Sequence, residues 1–199
     1  MEPKLSKKEQ GQLTKAKIFK TAVDLISTHG YKNVTVDKIC LNAEVSKGGF
    51  YVHYKSKEDI IRESYYINME EYIIPKYKDL LLSNELSSTK EKIKNFLLLQ
   101  LEFSKNIGYE ITCLAYTLNL NECSNGLSHH LEKRTFSNNL KDLLILDKDK
   151  LLYSIEDSFL YLESSIRGLM ASWCFSNNTF DIYAKGLLFI DVLVSTIYR

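Results

Sequence analysis

The stretch from residue 34 to residue 59, VTVDKICLNAEVSKGGFYVHYKSKED, restricts the possible folds of this chain more than any other. Its first apolar residues recur at i, i+3, i+4 and i+7, which is the spacing of one buried face of a two-turn α-helix. These residues are Val36, Ile39, Cys40 and Ala43. Thr35 or Asp37 can begin this helix, because a short polar side chain there accepts hydrogen bonds from free backbone amides.

A tight turn at Glu44 and Val45 is predicted to follow, and Ser46 can cap a second short helix. Many helix-turn-helix sequences have glycine in this turn, because glycine adopts a left-handed backbone without strain. If Glu44 has that backbone, the strain is about 1 kcal/mol. Phe50 is apolar where the second helix meets the shared core. The exposed first residues of that helix are Lys47, Gly48 and Gly49. Two helices joined in this way place the second one in the major groove of DNA.

The run VSKGGFYVHYKSKEDII resembles the signature of the tetracycline-repressor (TetR) family of bacterial transcriptional regulators. The resemblance extends back to about Leu13 and covers the first quarter to third of the chain. It implies a ligand-responsive repressor that binds a double-stranded DNA operator as a homodimer and is released by a small hydrophobic effector of unknown identity. The alternative is a DNA-binding regulator without a small-molecule effector, either an activator or a protein controlled by a partner.

Lys47 is the main candidate to read a base, because lysine donates to guanine O6 and N7; a phosphate contact is its alternative role. Gly48 and Gly49 leave room for the backbone or for a thymine methyl group. The resemblance assigns phosphate contacts to Tyr51, His53 and Lys57, with Thr35 as a further candidate. The complete predicted DNA-binding set is Thr35, Ser46, Lys47, Gly48, Gly49, Tyr51, His53 and Lys57.

The charge of the chain is unevenly distributed. Residues 1 to 62 contain twelve lysines and arginines against seven acidic residues, a net charge of +5, whereas the remainder carries −4. Phosphate neutralisation by lysine and arginine supplies most non-specific DNA affinity. The basic end of the chain is therefore the end that contains the DNA-binding motif.

The composition predicts an all-α protein in the cytoplasm. Of 199 residues only two are proline and eight are glycine, and no stretch alternates as a strand does. The sequence has neither a signal peptide nor an apolar run long enough to span a membrane. The four cysteines have no metal-ligand spacing, and the adjacent His129 and His130 point apart on a helix, so we expect no metal and no cofactor.

About nine helices are expected. Residues 1 to 11 form a polar arm, and the first helix is expected from Leu13 to Thr28, ended by Gly30. Ser56 caps a long helix that Pro75 ends or kinks. We expect a three-helix DNA-binding helix-turn-helix domain at residues 1–55 and a helical effector-binding and dimerisation domain at residues 56–199.

Helices of the C-terminal domain are predicted after Ser88, around residues 111–118, from about 127 to 146, and at the end of the chain. Between Leu152 and Trp173, apolar residues repeat with alternating spacings of three and four, as in a coiled-coil seam. Two final antiparallel helices can pair with those of a second copy, which is how family members dimerise; the alternative is that both faces are used inside the monomer. The predicted dimer residues are Leu162, Ser165, Leu169, Gly186, Ile190 and Val194.

The resemblance also implies an apolar ligand pocket among the helices of the C-terminal domain. Aromatic residues are the candidates to line it, although aromatics at helical spacing are more often ordinary core. The predicted pocket residues are Tyr65, Phe96, Phe103, Tyr116, Phe159 and Trp173. An enzyme is not expected, because the sequence has no Gly-rich phosphate loop, no paired histidine ligands and no nucleophile with a recognisable base.

Overall fold

The computed structural model describes residues 6–82, 88–124 and 135–199, without the side chains of residues 63, 64, 122, 135 and 136. The prediction of an all-α fold is confirmed, with nine α-helices in these ranges. In chain order they are α1 (Lys7–His29), α2 (Val36–Ala43), α3 (Lys47–His53), α4 (Lys57–Leu82), α5 (Thr89–Ile107), α6 (Tyr109–Ser124), α7 (Thr135–Leu146), α8 (Ile155–Phe175) and α9 (Ile182–Ser195). None of the described helices combines the length and the apolar character that a membrane span requires.

The chain divides into two compact units, a head unit (Met1–Tyr66) and a body unit (Ile67–Arg199). The division falls inside α4, whereas the sequence-based boundary at residues 55 and 56 precedes that helix. The first turn of α4 belongs to the head unit because it bonds there: the Lys57 ammonium donates to the backbone carbonyl of Tyr31 at 2.9 Å. A functional boundary at residue 55 stays a prediction.

The first helix begins earlier than its apolar pattern predicts. The Ser6 hydroxyl accepts a hydrogen bond from the Glu9 amide at 3.3 Å, and the Glu9 carboxylate accepts one from the Ser6 amide at 2.8 Å. This reciprocal capping starts α1 at Lys7, so the second half of the predicted polar arm is helical, while residues 1–5 lie outside the described ranges. The helix ends as predicted before Gly30, whose φ of +78° suits glycine.

Pro75 does not end α4, which continues for 26 residues with the proline inside it. Proline lacks the amide that would bond to the carbonyl four residues earlier, and its ring crowds that carbonyl. Here Pro75 lies on the exposed side of the helix, where water can bond the freed carbonyl, while Ile73 and Tyr77 are buried. Packing of the buried face therefore carries the helix past the proline.

Helices α5 and α9 pack against each other in the body unit. Lys94 pairs with Asp191 at 2.5 Å and Lys105 pairs with Asp181 at 2.5 Å, so the two helices run antiparallel. Gly186 of α9 is buried at this contact, and a Cβ atom there would lie 2.2 Å from the Cδ1 atom of Leu101. The missing side chain therefore lets α9 approach α5 closely.

Candidate nucleic-acid interface

Helices α2 and α3 are joined by the predicted tight turn. The Thr35 hydroxyl accepts a hydrogen bond from the Lys38 amide at 3.2 Å and begins α2, and the Ser46 hydroxyl accepts one from the Gly49 amide at 2.9 Å and begins α3. Between them Glu44 has the left-handed backbone expected for this turn, with φ of 52° and ψ of 43°. Its carboxylate accepts a hydrogen bond from Lys17 at 2.7 Å.

The buried faces of these helices fix their crossing. Ile39 and Ala43 of α2 are fully buried, as is Phe50 of α3. The Phe50 ring lies 6.1 Å from the ring of Tyr54, which is also buried in the head unit. Phe50 is the one buried residue of the seven in α3, and Lys47, Gly48, Tyr51 and Val52 are exposed and available for contacts outside the protein.

The start of α3 is open to solvent. Thr35, Ser46, Lys47 and Gly48 are exposed, and a Cβ atom on Gly48 would have only ordinary contacts. A Cβ atom on Gly49 would lie 3.3 Å from the Ser46 hydroxyl oxygen, so glycine at this position leaves room for the cap. This surface therefore combines a lysine with accessible backbone.

The Lys47 ammonium is not isolated on this surface. It forms an ion pair with Asp37 of α2 at 2.7 Å, and both side chains are exposed. The hydrogen bond to Asp37, followed by the attraction between the two charges, raises the pKa of Lys47. Lys47 therefore remains a cation, and Asp37 neutralises part of the charge that it offers to a base or phosphate.

The remaining predicted DNA-binding residues lie in different surroundings. Tyr51 is 55% exposed on α3, whereas His53 is half-buried, with its ring near Gly11 of α1. Lys57 is half-buried and donates two hydrogen bonds to backbone carbonyls of the head unit. Val52, which was not in the predicted set because an apolar residue stands where a larger polar reader could occur, is 79% exposed beside Tyr51.

The predicted ligand-pocket residues are mainly packing residues. Tyr65 lies in the head unit, and Phe96 and Phe103 pack against Tyr77 and Tyr72, with ring centroids 4.9 Å and 5.7 Å apart. These contacts are what aromatic residues at helical spacing make in an ordinary core. The whole predicted set is buried or half-buried: Tyr65, Phe96, Phe103, Tyr116, Phe159 and Trp173.

The described residues of the body unit line at least two clefts. One, of about 490 Å³, is lined by Trp173 with Tyr109 and Lys105, and none of the other predicted pocket residues lines it. The second, of about 460 Å³, is lined by Lys76, Glu102 and Tyr183 among others and contains none of the predicted residues. Of the six predicted pocket residues, only Trp173 lines either of these clefts.

Sequence reasoning missed a polar cluster in the interior of the body unit. Glu163 of α8 is 3% exposed, and its carboxylate accepts hydrogen bonds from Gln100 at 3.3 Å and from Arg167 at 3.0 Å. The buried hydroxyls of Ser137 and Ser158 have no hydrogen-bond partner among the described residues. A glutamate between the apolar positions of α8 was the available signal, since carboxylates are seldom fully buried without a partner.

The predicted dimer residues require a correction. Four of them are buried within the single chain: Leu162, Gly186, Ile190 and Val194. Ser165 and Leu169 are half-buried. The seam of α8 faces the core of its own body unit, because a spacing of three and four fits a buried face as well as a coiled coil. The exposed apolar residues on α8 and α9 are instead Leu160, Tyr161, Phe175, Leu187, Leu188, Phe189 and Val192.

No group of three or more possible metal ligands occurs in the described ranges. His129 and His130 lie outside those ranges.

Comparison with known proteins identifies similar regulators. The Fatty acid metabolism regulator protein of Bacillus subtilis is 24% identical over 190 residues, 92% of this chain and 94% of that protein. The negative transcriptional regulator IcaR of the biofilm operon icaADBC in Staphylococcus epidermidis is 40% identical over 50 residues, 25% of this chain but only 27% of that protein. A crystal structure of FadR from Bacillus subtilis in complex with stearoyl-CoA has a TM-score of 0.65 and 22% identity, and covers 92% of this chain and 99% of that one.

The last likeness shows the fold alone, and solved TetR-family regulators share that fold over nearly the whole chain. Residues 18–63 match the family described as "Bacterial regulatory proteins, tetR family". This range contains the turn at Glu44, the cap at Ser46 and all of α3. Residues 18–63 therefore match the DNA-binding domain of the TetR family of bacterial regulatory proteins, and the chain has the fold of solved TetR-family regulators.

Proposed function

We propose that this protein is a homodimeric repressor that acts in the cytoplasm and leaves its operator when a small hydrophobic effector binds the body unit. Each copy inserts α3 into the major groove, and the two-fold symmetry of the dimer matches a near-palindromic operator. Effector and DNA oppose each other because each binds a different conformation more tightly.

The observation that carries this proposal is the exposed surface of α3. Phe50 anchors the helix in the core, while Lys47, Tyr51 and Val52 project from it into solvent. Lysine, tyrosine and an apolar side chain supply contacts to guanine, to phosphate and to a thymine methyl group. The predicted contacts of Thr35, Ser46 and Gly48 belong to the same proposal, which the net charge of +5 over residues 1–62 supports.

Dimerisation is supported by an apolar surface on the last two helices. Leu160 of α8 is 64% exposed, and Leu188 and Val192 of α9 are 70% and 65% exposed. The Thr196 hydroxyl, just beyond α9, lies 3.4 Å from the Tyr161 hydroxyl of α8, so the end of α9 lies beside the first turns of α8. Exposed apolar residues clustered on adjacent helices are typical of a protein interface.

An effector is supported by the interior of the body unit and by the relatives. Ligand sites are mostly apolar, with a few polar groups that fix orientation, and the pairing of Glu163 with Gln100 and Arg167 provides such groups in an apolar interior. One similar protein is named as a regulator of fatty acid metabolism, and one similar structure contains stearoyl-CoA. A long-chain acyl compound is therefore the first effector to test.

Gel shifts with the DNA that flanks its own gene, in a salt series, test the DNA-binding part of the proposal. We expect a retarded complex that survives competition by random duplex, with affinity falling steeply as salt rises. Binding no tighter than to random duplex at every salt concentration contradicts the proposal.

Titration of that complex with stearoyl-CoA tests the effector. We expect release of the DNA together with a higher thermal midpoint of the free protein, because ligand binding stabilises the folded state. Coenzyme A alone is the matched control. A specific DNA complex that neither stearoyl-CoA nor a diverse compound panel releases or stabilises favours the regulator without an effector.

A further inference from the structure

The segment between α1 and α2 is bonded to the first turn of α4. The Lys57 ammonium donates to the backbone carbonyls of Tyr31 at 2.9 Å and Val34 at 3.0 Å. It also lies 3.8 Å from the centroid of the Tyr31 ring. The Tyr31 hydroxyl donates to the carboxylate of Glu58, the residue that follows Lys57. We name this arrangement of Tyr31, Val34, Lys57 and Glu58 the Lys57 clasp.

The clasp occupies most of the hydrogen-bond donors of the Lys57 ammonium. An ammonium has three donors, two of which are occupied by carbonyls, and its charge lies over an aromatic face in a half-buried position. Burial works to raise the pKa of Glu58, but hydrogen bonds from Tyr31, from its own amide and from Ser56 hold that pKa below its usual value. The carboxylate thus stays ionised and keeps the Tyr31 hydroxyl bonded.

The clasp lies at the start of the DNA-binding motif. Val34 directly precedes Thr35, the residue that caps α2, and the Lys38 ammonium of α2 donates to the Asn33 carbonyl at 3.0 Å. Holding residues 31 to 34 against α4 therefore fixes where α2 begins. Because α2 and α3 share one core, it also fixes the direction of α3 within the head unit.

We propose that Lys57 is a positioning residue for operator recognition, which holds residues 31–34 and hence α2 and α3 against the first turn of α4, and that it does not bind a phosphate. The inference rests on the proposed function, since it concerns how the head unit recognises its operator. It replaces the phosphate contact that the family resemblance implied for Lys57.

The test compares Lys57→Met with Lys55→Met, an exposed lysine two residues earlier that loses the same charge. The probes are an operator selected from random duplex by the wild-type protein and a random duplex of equal length. We expect Lys57→Met to weaken operator binding about tenfold or more, while random-duplex binding and the salt dependence change no more than in Lys55→Met. Amide exchange of Val34, Lys38 and Ile39 should accelerate in Lys57→Met alone.

Two results overturn the inference. A phosphate contact would weaken operator and random duplex by the same factor and lower the salt slope by about 0.9 per half-site beyond the control. A purely stabilising role would lower the thermal midpoint but leave the ratio of operator to random affinity unchanged at a temperature where the variant is folded. If the wild-type protein selects no sequence at all, the proposed function fails, and that result is seen before any variant is measured.

Discussion

Asp37 forms an ion pair with Lys47, the lysine that is predicted to contact DNA. Its carboxylate lies 2.7 Å from the Lys47 ammonium, and both side chains are exposed, so the pair contributes little to stability. We expect Asp37→Asn to increase operator affinity about threefold to tenfold, because it frees Lys47 and removes a negative charge near the phosphates.

The matched control is Asp24→Asn, which removes an exposed carboxylate from α1. Affinity is measured by fluorescence anisotropy at several salt concentrations, and the salt slope should steepen only in Asp37→Asn. Equal affinities for the two variants would show that the pair with Asp37 does not restrain Lys47 in DNA binding.

The hydroxyl of Tyr77 is buried without a hydrogen-bond partner among the described residues. An unsatisfied buried polar group costs about 1–3 kcal/mol, so Tyr77→Phe is expected to stabilise the protein by roughly 1–2 kcal/mol in urea unfolding. Tyr109→Phe is the control, because that hydroxyl donates to the Cys174 carbonyl at 2.9 Å, and its removal should destabilise. A loss of stability in Tyr77→Phe contradicts the prediction.

The same tyrosine gives a pH dependence. Burial raises the pKa of Tyr77 to about 12 from its usual 10.0, so the folded state holds the proton more tightly than the unfolded state. The stability that the folded state gains by keeping this hydroxyl protonated rather than ionised is complete below pH 10. It is lost as the pH rises from 10 towards 12. Unfolding free energies across this range should fall less steeply in Tyr77→Phe than in the wild type, while absorbance at 295 nm reports the ionisation.

At the scale of helices, the contact between α5 and α9 depends on the absence of a side chain at Gly186. A Cβ atom there would lie 2.2 Å from the Leu101 Cδ1 atom, in a fully buried position. We expect Gly186→Ala to destabilise by about 1–3 kcal/mol, since overfilling a packed core forces side chains and backbone to shift.

Gly168→Ala is the matched control on α8. A Cβ atom at residue 168 meets nothing within 4 Å, so alanine should stabilise the helix by about 1 kcal/mol through its higher helix propensity. Urea unfolding distinguishes the two variants by the sign of the change. A stabilised Gly186→Ala would mean that Leu101 has room to move.

Local chemistry made several elements predictable. The left-handed turn at Glu44 and the caps at Thr35 and Ser46 depend on residues close in sequence, and the structure has them where expected. The apolar pattern places the start of α1 too late, because the helix begins at a capping box of Ser6 and Glu9 within a polar segment. Their serine and glutamate, three residues apart, were a readable signal.

Contacts between distant residues were not predictable from spacing. Lys57 reaches Tyr31 across 26 positions, so a pattern around Lys57 cannot reveal that its donors are occupied. The seam of α8 has the same periodicity whether it faces its own core or a second copy, and Leu162 is in fact buried within one chain. Whether the seam faces its own core or a second copy depends on where α5 and α7 pack. The sequence of α8 alone does not contain that information.

For the whole molecule, the exposed apolar residues of α9 set the expected oligomeric state. We expect Leu188→Glu to convert the proposed dimer into a monomer of 23.0 kDa, because a buried charge at an interface without a partner is strongly unfavourable. Operator affinity should fall with it, since one copy reaches only one half-site. Sedimentation velocity and anisotropy measure the two effects.

Leu120→Glu, on the exposed side of α6, makes the same substitution away from this surface and should leave the mass unchanged. A Leu188→Glu variant that sediments as the wild type does, and binds the operator as tightly, would exclude this part of α9 from the interface.

Helix α3, which we propose reads the operator, depends on one anchor, since Phe50 alone among its seven residues is buried. Substitutions at Lys47, Tyr51 and Val52 cost the fold little, because these side chains are exposed and exposed side chains contribute little to stability. If α3 reads the operator as proposed, descendants of such a chain can acquire new target sequences by changing those positions one at a time, while the scaffold that presents them is inherited intact.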